Sequence, residues 1–180
     1  MKKIVVLAAS SSSTSVNRKL ANHAGSQVSD VEVQQIDIND YEAPLYSFQR
    51  EENDGIPDII KKFTELVKGA DGVVISFAEH NGSYTAAFKN LLDWASRADQ
   101  KTWSEKTLLL LSTSPGPRGA MSVLDTAVNS FPHFGAKVAA SFSLPSFFNN
   151  FSEESGIADE QLSKSFEAAV QGFSKALHEA

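Results

Sequence analysis

The chain has 180 residues, 42% hydrophobic and 21% charged, with a formal net charge of −6. This is the composition of an ordinary globular domain, long enough to bury about 70% of the surface its unfolded form exposes. The acidity excludes a nucleic-acid backbone or an anionic membrane as main partner, because both need a basic face. The absence of cysteine excludes disulfides, thiolate catalysis, iron–sulfur clusters and thiolate zinc sites.

Residues 3–8 contain the apolar, β-branched run Ile4-Val5-Val6-Leu7 and predict a first buried strand. The apolar run after Met1-Lys2-Lys3 is too short for a signal peptide. No run approaches the ~20 residues of a membrane span, so a cytoplasmic protein is expected. Six consecutive hydroxyl residues, Ser10 to Ser15, then lead into a first helix over 16–28. Short hydroxyls at a helix N-terminus offer Oγ donors, free backbone N–H groups and the positive end of the helix dipole. These suit a phosphate monoester; the same stretch also reads as a Ser-rich N-cap loop. Its position at the carboxyl end of a first strand, where open α/β sheets bind ligands, points to the phosphate.

Residues 31–36 alternate apolar and polar and predict a second strand near a sheet edge, followed by a long connection over 37–55. Pro57 sits where a second helix begins and Gly69 where it ends. Residues 72–77 form the most strand-like run, and after a loop over 78–84 a third helix covers 85–96. A fully apolar strand over 107–111, a helix over 120–131, a strand over 136–142, a loop over 147–156 and a last helix over 159–177 complete the chain. Five strands alternating with five helices predict one α/β domain over residues 1–180, a doubly wound, three-layer parallel sheet in the flavodoxin-like order 2-1-3-4-5.

In that topology the loops after strands one, three and four meet at the carboxyl edge: Ser10–Ser15, Ala78–Tyr84 and Ser112–Gly119. They are also the three most unusual stretches of the chain. There is no G-x-x-x-x-G-K-[ST], no G-x-G-x-x-G after the first strand and no G-x-S-x-G, which argues against a P-loop NTPase, a classical dinucleotide fold and an α/β-hydrolase. The second loop, Glu79-His80-Asn81-Gly82-Ser83-Tyr84, is dense in groups able to line the edge of a planar heterocycle, with His80 or Tyr84 against its face. Its Asn81-Gly82-Ser83 also reads as a turn capping the third helix, and Glu79 with His80 as an acid–base pair. Arg118 in the third loop is either a ligand for a second phosphate or a solvated surface arginine. The four histidines show no metal-ligand spacing.

The three loops resemble those of the NADPH-dependent FMN reductases, a flavodoxin-like family of azo-, quinone- and chromate-reducing enzymes. The family's G-S-x-R-x-x-S-x-N-x-x-L is matched by Ser10, Ser15, Asn17 and Leu20, with Ala9 in the glycine position and Ser12 in the arginine position. Its P-E-Y-N-G-S-Y-x-x-x-L-K-N-x-x-D-W is matched by Glu79, Asn81-Gly82-Ser83-Tyr84, Lys89-Asn90 and Asp93-Trp94, while Ala78, His80 and Phe88 depart from it. Its S-x-S-P-G-x-x-G is matched by Ser112, Ser114-Pro115-Gly116 and Gly119. Asp37 followed by Pro44-Leu45-Tyr46 is similar to its second strand–helix connection.

The resemblance implies FMN, with Ser10, Ser12, Ser15, Val16 and Asn17 around the phosphate, Glu79, His80, Asn81 and Ser83 along the isoalloxazine, and Ser114 nearby. It implies hydride transfer from NADPH or NADH to flavin N5 and then reduction of a small acceptor: a quinone, an azo compound, a metal oxyanion or free flavin. The flavin carries the reaction, so no side chain is assigned a catalytic role. Ser12 in place of arginine implies weaker flavin retention, and His80 in place of tyrosine brings a smaller ring to the isoalloxazine. The alternative is a flavodoxin-type FMN electron carrier served by a protein partner. Family members assemble as dimers or tetramers. That habit, together with an apparent excess of aromatics (Phe131, His133, Phe134, Phe142, Phe147, Phe148 and Phe151), implies a homodimer or homotetramer; packing of those rings beneath the last helix is the competing reading.

Overall fold

The computed structural model describes residues 1–180. In chain order the first half comprises β1 (Lys2–Ala9), α1 (Val16–Ser26), β2 (Val31–Ile36), a 3₁₀ turn (Ile38–Tyr41), α2 (Phe48–Asp54), α3 (Asp58–Gly69) and β3 (Gly72–Phe77). A hairpin of β4 (Glu79–His80) and β5 (Ser83–Tyr84) follows, then α4 (Ala86–Ala98), β6 (Thr107–Thr113) and α5 (Met121–Ser130). The chain ends with β7 (Lys137–Leu144), α6 (Phe147–Asn150), a second hairpin of β8 (Phe151–Ser152) and β9 (Gly156–Ile157), and α7 (Glu160–Glu179).

The main sheet runs β2-β1-β3-β6-β7 with every pairing parallel, which is the expected order 2-1-3-4-5 of its five strands. The period of two along each strand builds two separate cores. Val5, Leu7, Val73, Ile75, Leu108 and Leu110 face one side, against Phe63 of α3, Trp94 of α4 and Val123 of α5. Ile4, Val6, Val74, Leu109 and Leu111 face the other, against Leu20 of α1 and Phe166, Phe173 and Leu177 of α7. β2 is one of the two edge strands, β7 the other, and it is only half-covered.

Three segments expected as loops are structured. The 37–55 connection contains the 3₁₀ turn and α2. Its Pro44 carbonyl accepts from Trp94 Nε1 at 2.7 Å, and Asn90 brackets the same stretch, accepting from Tyr46 N–H at 2.8 Å and donating to the Ala43 carbonyl at 3.0 Å. The 78–84 loop is a hairpin, because Asn81 (φ 53°) and Gly82 (φ 74°) form a two-residue turn with both central φ positive. The turn therefore joins two strands, and Thr85 caps the following helix through its Oγ1, which accepts from Phe88 N–H at 3.3 Å. The 147–156 stretch holds α6, β8 and the start of β9.

The aromatic excess is absorbed within the chain. Phe131 is buried in the first core, stacked on Trp103 at 4.8 Å. Phe142 and Phe147 are buried in the second, where Phe151 stacks on Phe147 at 4.9 Å. Only Phe148 of the phenylalanines in that set is exposed, at 71%. Two cores, one on each sheet face, have room for rings that a single core would not hold, so these aromatics are no argument for a second subunit.

Candidate active site

The carboxyl ends of β1, β3 and β6 open into a cleft of about 240 Å³. The first loop contributes Ser10, Ser12, Thr14, Ser15, Val16 and Asn17; the second Ala78, Glu79 and His80; the third Thr113, Ser114 and Pro115.

The first loop folds on itself through its hydroxyls. Ser10 Oγ accepts from Ser12 N–H at 3.2 Å, and Ser12 Oγ from Thr14 N–H at 3.3 Å. Ser15 is the N-cap of α1, its Oγ accepting from Arg18 N–H at 3.2 Å. The Lys19 N–H goes to the Ser15 carbonyl at 3.4 Å. The N–H groups of Val16 and Asn17 are then the open donors of the helix tip, where an anion is stabilised by the donors and the dipole together. Arg18 points away and pairs with Asp37, so the tip carries no cationic side chain.

The Asn17 side chain is not one of these donors. It is 2% exposed, its Oδ1 accepts from Ser76 Oγ at 2.7 Å and Thr113 N–H at 3.0 Å, and its Nδ2 donates to the Thr113 carbonyl at 3.0 Å. It pins α1 to β3 and β6, leaving only its backbone for a ligand.

In the second loop His80 is exposed at the cleft mouth. Glu79 lines the cleft, but its Oε2 accepts from Val123 N–H, in the first turn of α5, at 3.0 Å. Tyr84 is turned away from the cleft into the first core, among Phe77, Phe88 and Phe131, with its OH 3.2 Å from Ser130 Oγ; burial pushes the phenol's pKa up. Asn81 and Ser83 stand at the exposed hairpin, outside the cleft lining. The pairing of adjacent Glu79 and His80 as acid and base finds no support, since the carboxylate is committed to α5.

The third loop is closed by Gly119 (φ 58°), whose carbonyl accepts from Ser112 Oγ at 2.7 Å and Ser143 Oγ at 2.8 Å. A Cβ there would sit 2.3 Å from Ser143 Oγ, so glycine is required by both φ and space. Ser114 lines the cleft half-buried, and Arg118 is exposed on Ser122 outside it.

Eight of the ten residues expected to bind the cofactor thus share one cleft: Ser10, Ser12, Ser15, Val16, Asn17, Glu79, His80 and Ser114. Sequence reasoning missed Thr14, Ala78, Thr113 and Pro115 as lining residues. Thr14 lay within the hydroxyl run, Ala78 precedes Glu79, and Thr113 and Pro115 flank Ser114, so the signal for them was proximity alone.

A parallel sheet of this order defines a flavodoxin-like fold, and its carboxyl edge presents a hydroxyl-lined helix tip. Residues 2–149 match the NADPH-dependent FMN reductase family, and the chain belongs to it. A 2-hydroxy-1,4-benzoquinone reductase from Burkholderia sp is 34% identical over 119 residues, 65% of this chain and 63% of that protein. A quinone reductase from Escherichia coli (strain K12) is 34% identical over 76 residues, 42% of this chain and 40% of that one. These matches span less than two-thirds of the relatives' length. Among solved structures, the flavoenzyme NAD(P)H:(acceptor) oxidoreductase from Paracoccus denitrificans superposes with a TM-score of 0.77 at 24% identity, covering 99% of this chain and 98% of that one. An FMN-dependent NADH-azoreductase from Bacillus anthracis in complex with FMN superposes with a TM-score of 0.62 at 13% identity, covering 99% of both. At these identities the likeness is one of fold.

Proposed function

We propose that the protein is an FMN-dependent NAD(P)H oxidoreductase, a single domain over residues 1–180 acting in the cytoplasm as a homodimer or homotetramer on a small acceptor. The observation that carries this reading is the open tip of α1. Two unpartnered N–H groups and a ring of neutral hydroxyls share one cleft with the second and third loops, in a chain of this family. Glu79, the one carboxylate lining the cleft, directs its Oε2 to the Val123 N–H at the start of α5.

Ser10, Ser12, Thr14 and Ser15, with the Val16 and Asn17 N–H groups, would hold the FMN phosphate; Ala78–His80 and Thr113–Pro115 would flank the ring, and Asn81 and Ser83 would bound its far edge from the hairpin tip. The chemistry FMN supplies when bound is two-electron transfer, received from reduced nicotinamide as hydride and delivered to the acceptor. The protein's part is orientation, held by Asn17 beneath the phosphate loop and by Thr85, whose Oγ1 donates to the Ala9 carbonyl at 3.1 Å behind the cleft. The quinone reductases among the relatives favour a quinone as acceptor.

Absorption spectroscopy tests the reading. Protein reconstituted with FMN should bleach on anaerobic NADPH and recover its colour on adding a benzoquinone. Failure to quench FMN fluorescence on titration sinks it, and FMN binding without nicotinamide oxidation marks an electron carrier instead.

A further inference from the structure

Helix α5 begins without a cap of its own. Its N-cap residue, Ala120, is held in the left-handed region at φ 61°, offers no side-chain acceptor, and no acidic residue occupies the first turn. The missing acceptor comes from 44 residues upstream, as Glu79 Oε2 at 3.0 Å from Val123 N–H. Glu79 faces Tyr84 across the β4–β5 hairpin, and Tyr84 reaches the other end of the same helix, its OH 3.2 Å from Ser130 Oγ. The hairpin is therefore fastened to both ends of α5. Because α5 follows directly on the third loop, the Glu79 bond spans from the second wall of the cleft to the third. A carboxylate at a helix N-terminus also neutralises the dipole there, which leaves the tip of α1 as the cleft's free anion-binding end.

We propose that Glu79 is a positioning residue: its carboxylate ties the hairpin to α5, sets the separation of the second and third walls, and so holds the ring end of the cleft in shape. This rests on the FMN reading above. The role depends on reach and on an acceptor oxygen, not on charge as such. Glutamine has both, aspartate lacks the reach, and alanine lacks the acceptor.

The test compares E79Q, E79D and E79A for FMN and riboflavin binding by fluorescence quenching, well below each variant's melting temperature. Riboflavin lacks the phosphate and reports the ring end. E79D and E79A should weaken both flavins by a similar factor, about fivefold to tenfold for the loss of one cap interaction, and E79Q should recover most of that affinity. The opposite grouping, with E79D like the wild type and E79Q like E79A, overturns the proposal in favour of a direct charge role. Lowered melting temperatures with unchanged flavin affinities overturn it in favour of a purely structural cap. Amide exchange of Val123 and the hairpin in the flavin-free variants is read separately. If the wild type binds no flavin, the FMN reading fails by itself, while faster exchange of Val123 and the hairpin in E79D and E79A, but not E79Q, still supports the tie and unchanged exchange overturns it.

Discussion

Asn17 uses its whole side chain inside the protein. Substituting alanine removes three hydrogen bonds and leaves the buried Ser76 hydroxyl and both backbone groups of Thr113 without partners. Leaving buried groups unpaired costs about 1–3 kcal/mol each; with partial relaxation, Asn17→Ala should lose about 2–4 kcal/mol in urea unfolding. His23 is a second residue whose environment makes a prediction. Its ring stacks on Phe166 at 5.3 Å and meets the edge of Phe151 at 5.2 Å, and burial lowers its pKa from the ordinary 6.5. The folded state therefore prefers the neutral ring. This contribution is fully present above pH 6.5 and is lost as pH falls through the depressed folded value. His23→Phe should keep the stacking and lose less stability than the wild type between neutral and mildly acid pH, as read from urea midpoints.

At the scale of elements, the cleft is assembled by loops that other loops hold. Gly119 ends the third loop where Ser143 and Leu144 of β7 approach closely. Gly119→Ala combines a left-handed φ with a steric clash, each costing on the order of 1–3 kcal/mol. A drop of several degrees in melting temperature is expected, with weakened flavin binding as the loop shifts. The sequence places a turn at Asn81-Gly82 but not the strands on either side of it, because two pairs of strand residues are too few for periodicity to register. The dipeptide itself carried the hairpin signal. Residues of the family pattern such as Asn90 and Trp94 do not line the cleft; they hold the 43–46 connection against α4. A pattern of residue types does not separate those that touch a ligand from those that shape the wall behind it.

For the whole molecule, the net charge of −6 repels a phosphate, and no Lys or Arg lines the cleft to offset it. Raising ionic strength shortens the Debye length from 30 Å at about 0.01 M to about 10 Å at 0.1 M. Salt should therefore leave FMN affinity unchanged or raise it slightly, the reverse of a site built on cations. Ser12→Arg should tighten FMN binding by about threefold to tenfold at low salt, consistent with a charge-assisted hydrogen bond. It should also introduce the salt sensitivity the wild type lacks. Fluorescence quenching at two ionic strengths reads both effects.

The order of the sheet, the five main strands and the gathering of three loops were legible in the residues, because strand burial on both faces and loop chemistry at strand ends are local patterns that survive folding. No local pattern showed that Glu79 would bond α5, that Tyr84 would turn into the core, or that Asn17 would be used up beneath its own loop. These depend on which partner lies within about 3 Å once distant segments meet. Sequence alone determined what kinds of groups would stand at the sheet's carboxyl edge. Tertiary packing decided which of them remain free to meet a ligand, because a buried polar group must first satisfy its own hydrogen bonds.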